Sequence, residues 1–217
     1  MLSAILFDLD GTLVNTDPLH FLTWQEVLTK FGMNIDHVWY NKHISGRTNE
    51  EIVKDILPQL SLAEGLKLAE AKEASFRELG NKLEPLAGLP TLLNWTITKG
   101  LKKAVVTNAP RENANFMLEA LQLKETFPIV ILAEDATKGK PDPAPYLLAL
   151  KRLNIPSNEA IVFEDSPSGI RAAVAAEIYT IGVASSHNPE NLTQLGAKMV
   201  IKDFTEPKLW DFLNSFY

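Results

Sequence analysis

The sequence predicts an α/β protein: a parallel-sheet core with an all-helical domain inserted after its first strand. Six short apolar runs, helical patterns between the later ones, and one long interval carrying only helical signals predict it. The runs are Ala4–Asp8, Lys103–Thr107, Ile129–Leu132, Ala160–Glu164, Ile178–Val183 and Lys198–Ile201. Several lack polar alternation, as strands buried on both faces do. Helices are expected over Arg111–Leu121, after Pro110, and over Pro189–Leu195, after the candidate N-cap Asn188. Strands that alternate with helices imply parallel pairing through crossover connections.

The interval from about Thr16 to Gly80 breaks this rhythm. Asp17 and Pro18 open an amphipathic run whose apolar positions are read as Leu19, Leu22, Val27 and Phe31, with Gly32 as C-cap. Thr48 with Glu51, and Ser61 with Glu64, have capping-box spacing, so two further helices should begin there. The insertion is read as a helical cap domain over 16–82, leaving 1–15 and 83–217 as the core. The connections fall near Gly11–Asp17 and Leu83–Gly88, where turn residues interrupt the periodicity.

Composition narrows the function classes. The 217 residues are 46% hydrophobic and 22% charged, values of an ordinary globular chain. A net charge of −6 without a basic stripe argues against a nucleic-acid partner. Cysteine is absent, which excludes disulfides, thiolate metal sites and a cysteine nucleophile, and fits a reducing cytoplasm. The apolar segment after Met1 is too short for a signal peptide, and no stretch approaches the roughly 20 apolar residues a membrane span needs. A soluble cytoplasmic protein, monomeric by default, is the expectation.

The strongest chemical signal is Phe7-Asp8-Leu9-Asp10-Gly11-Thr12-Leu13. Residues two apart on a strand share a face, so both carboxylates could converge at its C-terminal end, where parallel sheets place ligands. Asp8 could attack phosphorus to give an acyl phosphate, and Asp10 could protonate the leaving oxygen and then activate water. Three more fragments end predicted core strands or follow them. Thr107 and Asn108 offer a hydroxyl and an amide for a phosphoryl oxygen. Lys140, preferred to Lys138 because it immediately precedes Pro141, could neutralise charge on the phosphoryl group. Asp165, with Asp8 and the Asp10 main-chain carbonyl, would make an oxygen-only Mg2+ site, beside which Glu164 orients the site or binds the ion. Each fragment alone also reads as a strand end, a helix cap or solvated surface.

In order and separation these motifs resemble the haloacid dehalogenase superfamily, with Asp8 to Thr12 as the first motif, Thr107 the second, Lys140 the third and Glu164-Asp165 the fourth. The resemblance implies a Rossmann-like core, an aspartyl-phosphate intermediate and an obligatory Mg2+, with Asp8 as nucleophile and Asp10 as general acid/base. The helical insertion is similar to that of β-phosphoglucomutase-like and sugar-phosphate phosphatase members. It implies that His20 and Trp24, four apart on one helix face, lie near the substrate. Ser45-Gly46-Arg47-Thr48-Asn49 looks like the substrate-specificity loop of such caps, with Arg47 able to pair with a second anionic group. In the mutases an arginine stands where this chain has Asn49, and Thr107-Asn108-Ala109 departs from their second motif. Both departures, with the runs Val106–Pro110 and Phe163–Ser166 and the C-terminal Pro207-Lys208-Leu209-Trp210, favour a broad-range sugar-phosphate phosphatase similar to plant-type members. A β-phosphoglucomutase is the alternative. A receiver-like signalling domain is disfavoured because Asp8 lies on the first strand and precedes a large insertion, and a catalytically silent binding protein because all the core polar positions are present.

Overall fold

The computed structural model describes residues 1–45, 47–79 and 83–217. They form two compact units, Met1–Asn15 with Glu84–Tyr217, and Thr16–Leu83. The second boundary falls one residue after the position read from the sequence.

The larger unit holds a six-stranded sheet: β1 (Ala4–Phe7), β2 (Lys102–Thr107), β3 (Val130–Leu132), β4 (Ala160–Glu164), β5 (Tyr179–Val183) and β6 (Met199–Ile201). All neighbours pair in parallel, in the order β3-β2-β1-β4-β5-β6. This is the doubly wound α/β arrangement expected from the sequence. Strand β1 sits centrally and is buried along its whole length, which is why its sequence shows no polar alternation. Its even positions, Ala4 and Leu6, join Ala104, Val106, Ala160 and Val162 in a cluster with Tyr146, Ala149 and Leu150 of α7 (Ala144–Leu153) and Ala172 and Ala173 of α8 (Pro167–Ala175). On the odd positions Phe7 stacks on Phe163 at 5.5 Å between centroids, and Phe204 meets Phe163 edge-on at 5.2 Å. Chain order reverses between β1 and β4, the position at whose C-terminal strand ends open parallel sheets place ligands.

One detail differs from the sequence reading. Strand β1 ends at Phe7, so Asp8, Leu9 and Asp10 are not a regular strand, and alternation is not what places the two carboxylates. Asp8 still donates its backbone N–H to the Phe163 carbonyl at 3.0 Å, and Gly11 then turns the chain at φ +77°.

The smaller unit contains α1 (Asp17–Thr29), α2 (His37–His43), α3 (Asn49–Ile56) and α4 (Leu62–Glu78), and α5 (Leu89–Thr98) and α6 (Arg111–Ala120) follow in the larger one. Both capping boxes form, Thr48 with Glu51 and Ser61 with Glu64. Gly32 ends the first helical segment at φ +79°, with its N–H on Thr29 and that of Met33 on Leu28, a Schellman pattern. The buried face of α1 includes Leu19 and Val27, as assigned from sequence, together with Phe21, Trp24 and Leu28, whereas Leu22 and Phe31, also assigned to it, are exposed. Among the described residues no helix is long and apolar enough to cross a membrane.

Candidate active site

The C-terminal ends of β1 and β4, with the segment leading into α7, bring Asp8, Lys140, Glu164 and Asp165 into one buried cluster, and Thr107 is buried at the end of β2. Asp8, Glu164 and Asp165 each offer a carboxylate oxygen, and these atoms lie within 4.8 Å of one another. Lys140 is buried against them. Its Nζ donates to Asp8 Oδ1 at 2.6 Å, to the Val106 carbonyl at 2.7 Å and to Glu164 Oε1. Lys138, by contrast, is exposed.

Three carboxylates face one ammonium, which bonds two of them, and that imbalance sets the electrostatics. Burial pushes the Asp8 carboxyl well above its ordinary value; Lys140 opposes the shift, while Glu164 and Asp165 add to it. Asp165 is raised in the same way, by burial and then by Glu164, against the hydrogen bond from Ser186. For Lys140 burial alone would lower the pKa, but Asp8 and Glu164 outweigh it and hold the ammonium charged.

The surroundings fix each group. Glu164 uses both oxygens: Oε1 accepts from Lys140 and from the Tyr146 hydroxyl at 3.0 Å, and Oε2 accepts from the Ser166 N–H and hydroxyl at 3.1 Å each. Asp165 Oδ2 accepts from Ser186, whose hydroxyl also lies 2.8 Å from His187 Nδ1. Thr107 Oγ1 accepts the Ala109 N–H at 3.0 Å, which leaves its own proton for another acceptor. The Asn108 amide brackets the Lys140 backbone, Oδ1 accepting the N–H at 3.0 Å and Nδ2 donating to the carbonyl at 3.1 Å, so it braces the lysine loop. Asp10 is half-buried, and its carboxyl is not among the clustered oxygens.

Two glycines make the approach possible. A Cβ on Gly11 would lie 2.1 Å from Asp165 Oδ2, and one on Gly169, in the first turn of α8, 1.7 Å from Glu164 Oε1. Gly11→Ala combines that clash with an unfavourable positive φ and is expected to destabilise the protein by about 2–4 kcal/mol. Chemical denaturation checks this; an unchanged midpoint would contradict the described packing.

The expected cap residues are engaged within the smaller unit. Trp24 is buried in the apolar cluster of that unit. His20 stacks on Phe76 at 4.4 Å, with Nδ1 2.7 Å from Lys72 Nζ. Lys72 also donates to Glu73 Oε1 at 2.8 Å, which accepts from Asn49 Nδ2 at 2.6 Å. Arg47 is bound to Asp55 and the carbonyls of His43 and Glu51, and Thr48 is committed to its helix cap. The charge of Arg47 is thus matched within the helical unit, in a pair exposed enough to exchange partners. Gly46 lies outside the described residues.

Sequence reasoning did not find Tyr146, Gly169, Ser185, Ser186, Lys72 or Glu73. Gly169, a glycine in the first turn of α8, was a readable signal. The two serines were not, because their partners, the Gly11 carbonyl and Asp165, lie far away in the chain.

Comparison with known proteins agrees with this architecture. The family model described as haloacid dehalogenase-like hydrolase matches residues 5–183. The chain belongs to that family. A phosphorylated carbohydrates phosphatase from Thermotoga maritima is 32% identical over 208 residues, covering 93% of this chain and 94% of that protein. A validoxylamine A 7'-phosphate phosphatase from Streptomyces hygroscopicus subsp. limoneus is also 32% identical, covering 95% and 96%. Among solved structures, a family IA, variant 3 haloacid dehalogenase hydrolase from Entamoeba histolytica superposes with a TM-score of 0.88 at 29% identity, over 98% of each chain. In this haloacid dehalogenase-like hydrolase, the lysine and the carboxylates gather at the C-terminal ends of the central strands.

Proposed function

We propose that this haloacid dehalogenase-like hydrolase is a Mg2+-dependent phosphatase of small sugar phosphates, working through an aspartyl-phosphate on Asp8. The observation that carries the reading is the buried pair of Asp8 and Lys140 within an all-oxygen carboxylate cluster. The phosphatase names of two full-length relatives support the reaction class and the carbohydrate nature of the substrate.

The residues present fit a hard divalent cation. Their donors are oxygen only, they are buried, and they carry more negative charge than Lys140 balances. Asp8 and Asp165 would hold the ion, with the Asp10 main-chain carbonyl as a further donor. Glu164 acts chiefly by orientation, since both its oxygens are in use. When bound, the ion supplies charge neutralisation for Asp8 and the phosphoryl oxygens together.

The protein groups do the rest. Lys140 holds Asp8 through Oδ1, which aims the nucleophile and lowers its repulsion of an incoming anion. Asp8 attacks phosphorus, the bond to the sugar oxygen breaks, and Asp10 gives that oxygen a proton. Asp10, now ionised, takes a proton from the water that attacks phosphorus and releases Asp8. Thr107 offers its free proton to a phosphoryl oxygen. The family resemblance assigns substrate choice to the helical insertion.

Phosphate release from a panel of sugar phosphates, with and without Mg2+, tests the reading. Mg2+-dependent release from several sugars is expected. Conversion of β-glucose 1-phosphate into glucose 6-phosphate without phosphate release would make the chain a mutase instead.

A linked prediction concerns Asp165 and pH. Asp165→Asn is expected to raise the Mg2+ concentration needed for half-maximal rate by about a hundredfold, without loss of fold. In the metal-free protein the Asp8 and Asp165 pKa values lie above their unfolded value of 3.8. Above that value the folded state binds more protons than the unfolded state, so metal-free stability falls as pH rises through the elevated range. The rise in Tm produced by Mg2+ should therefore be larger at about pH 8 than at about pH 5.5, where protons compete with the ion. Thermal unfolding at both pH values checks this, and equal shifts would contradict it.

A further inference from the structure

We propose that Tyr146 is a positioning residue for phosphoryl transfer: its hydroxyl holds Glu164, and through Glu164 the Lys140 ammonium, in register with Asp8. The inference rests on the phosphatase reading and adds to it a residue outside the four motifs.

Tyr146 lies in the first turn of α7, six residues after Lys140. Its ring is fully buried in the apolar cluster behind β1, β2 and β4. Packing of the ring needs only an aromatic side chain, and phenylalanine would fill the same space. The hydroxyl is the part that packing does not explain, since a buried O–H costs free energy unless it finds a partner. It finds Glu164 Oε1 at 3.0 Å. The same ring lies beneath the Lys140 ammonium, 5.2 Å from its centroid. One rigid side chain thus touches both members of the ion pair that faces Asp8.

The sharing of Glu164 Oε1 gives the hydroxyl its consequence. That oxygen accepts from Lys140 and from Tyr146 together, while Ser166 occupies Oε2. Four donors therefore fix the plane of the carboxylate. Tyr146 also takes part of the acceptor strength of Oε1, which leaves the ammonium more strongly directed at Asp8 Oδ1. Without the hydroxyl, Oε1 turns its full strength on Lys140 and draws the ammonium away from the nucleophile. The loss falls on the transition state, where charge on the phosphoryl group is greatest, more than on ground-state binding.

Tyr146→Phe, assayed on the best sugar phosphate of the wild-type protein, tests this. We expect kcat to fall about tenfold, KM to change by less than about twofold, and vanadate inhibition to weaken by about the same tenfold factor as kcat. The melting temperature should stay within a few degrees of wild type, because the ring is retained. In a Glu164→Gln background, the same substitution should cost less than about twofold more, since it acts through Glu164. An unchanged kcat in Tyr146→Phe, or a full tenfold loss in the Glu164→Gln background, would overturn the inference alone. A wild-type protein that releases no phosphate from any sugar phosphate would overturn the functional reading and this inference with it.

Discussion

Asp8→Asn is expected to reduce phosphate release by at least about a thousandfold while leaving the metal-free protein as stable as wild type or more so. The activity loss follows from removing the nucleophile, because an amide cannot form an acyl phosphate under these conditions. The stability result is the sharper expectation. Burial, Glu164 and Asp165 together disfavour the Asp8 charge more than Lys140 favours it. A neutral side chain of the same shape relieves that repulsion, and Lys140 keeps Glu164 as its partner. Mg2+ should stabilise the variant much less than it stabilises wild type. Thermal unfolding with and without the ion, beside a phosphate-release assay, measures all three quantities. A variant that is inactive because it is unfolded would count against this account of the cluster's charge.

Lys140→Met reverses the charge argument and is expected to cost far more. It removes the ammonium that Asp8 and Glu164 share and leaves both carboxylates buried without it. Breaking a buried pair from one side costs about 3–5 kcal/mol. The cost should shrink as pH falls, because protonation of Asp8 then removes the repulsion that the lysine had offset. Denaturant unfolding at about pH 5.5 and about pH 8 distinguishes this from a packing defect, which would show the same loss at both. Activity should be lost at either pH.

The two variants together explain why the core motifs were legible in the sequence. Buried acids at the ends of apolar strands are costly, so Asp8 and Glu164-Asp165 stand out against runs such as Ala4–Phe7 and Ala160–Phe163. Parallel topology then places those ends at one edge, and the sheet order puts β2, β1 and β4 side by side. The alternation of strand and helix was readable for the same reason, since strands buried on both faces carry unbroken apolar runs.

What sequence reading missed lies at longer range or in weaker patterns. Nothing local to Asn108 reveals that its amide brackets the backbone of Lys140, 32 residues away. Tyr146 reads as a core aromatic, and nothing local reveals that its hydroxyl meets Glu164. Ser186 lies 21 residues from Asp165 in a loop with no motif of its own. In α1, apolar residues at 19, 21, 22, 24, 27 and 28 cover most of the helix circumference, so periodicity alone could not tell that Leu22 faces out. In the helical unit, Arg47 and Asn49 carry acidic partners, Asp55 and Glu73, that their own loop sequence does not announce.

The central claim is that Asp8 becomes phosphorylated during turnover. Acid-quenched single-turnover reaction of the Mg2+-loaded protein with its best sugar phosphate, followed by peptide mass spectrometry, tests it directly. The account predicts one phosphoryl group on the peptide containing Asp8, formed before free phosphate appears and persisting longer in Asp10→Asn. Full phosphate release with no phosphorylated peptide at any time, or a phosphoryl group found on another residue, would contradict it.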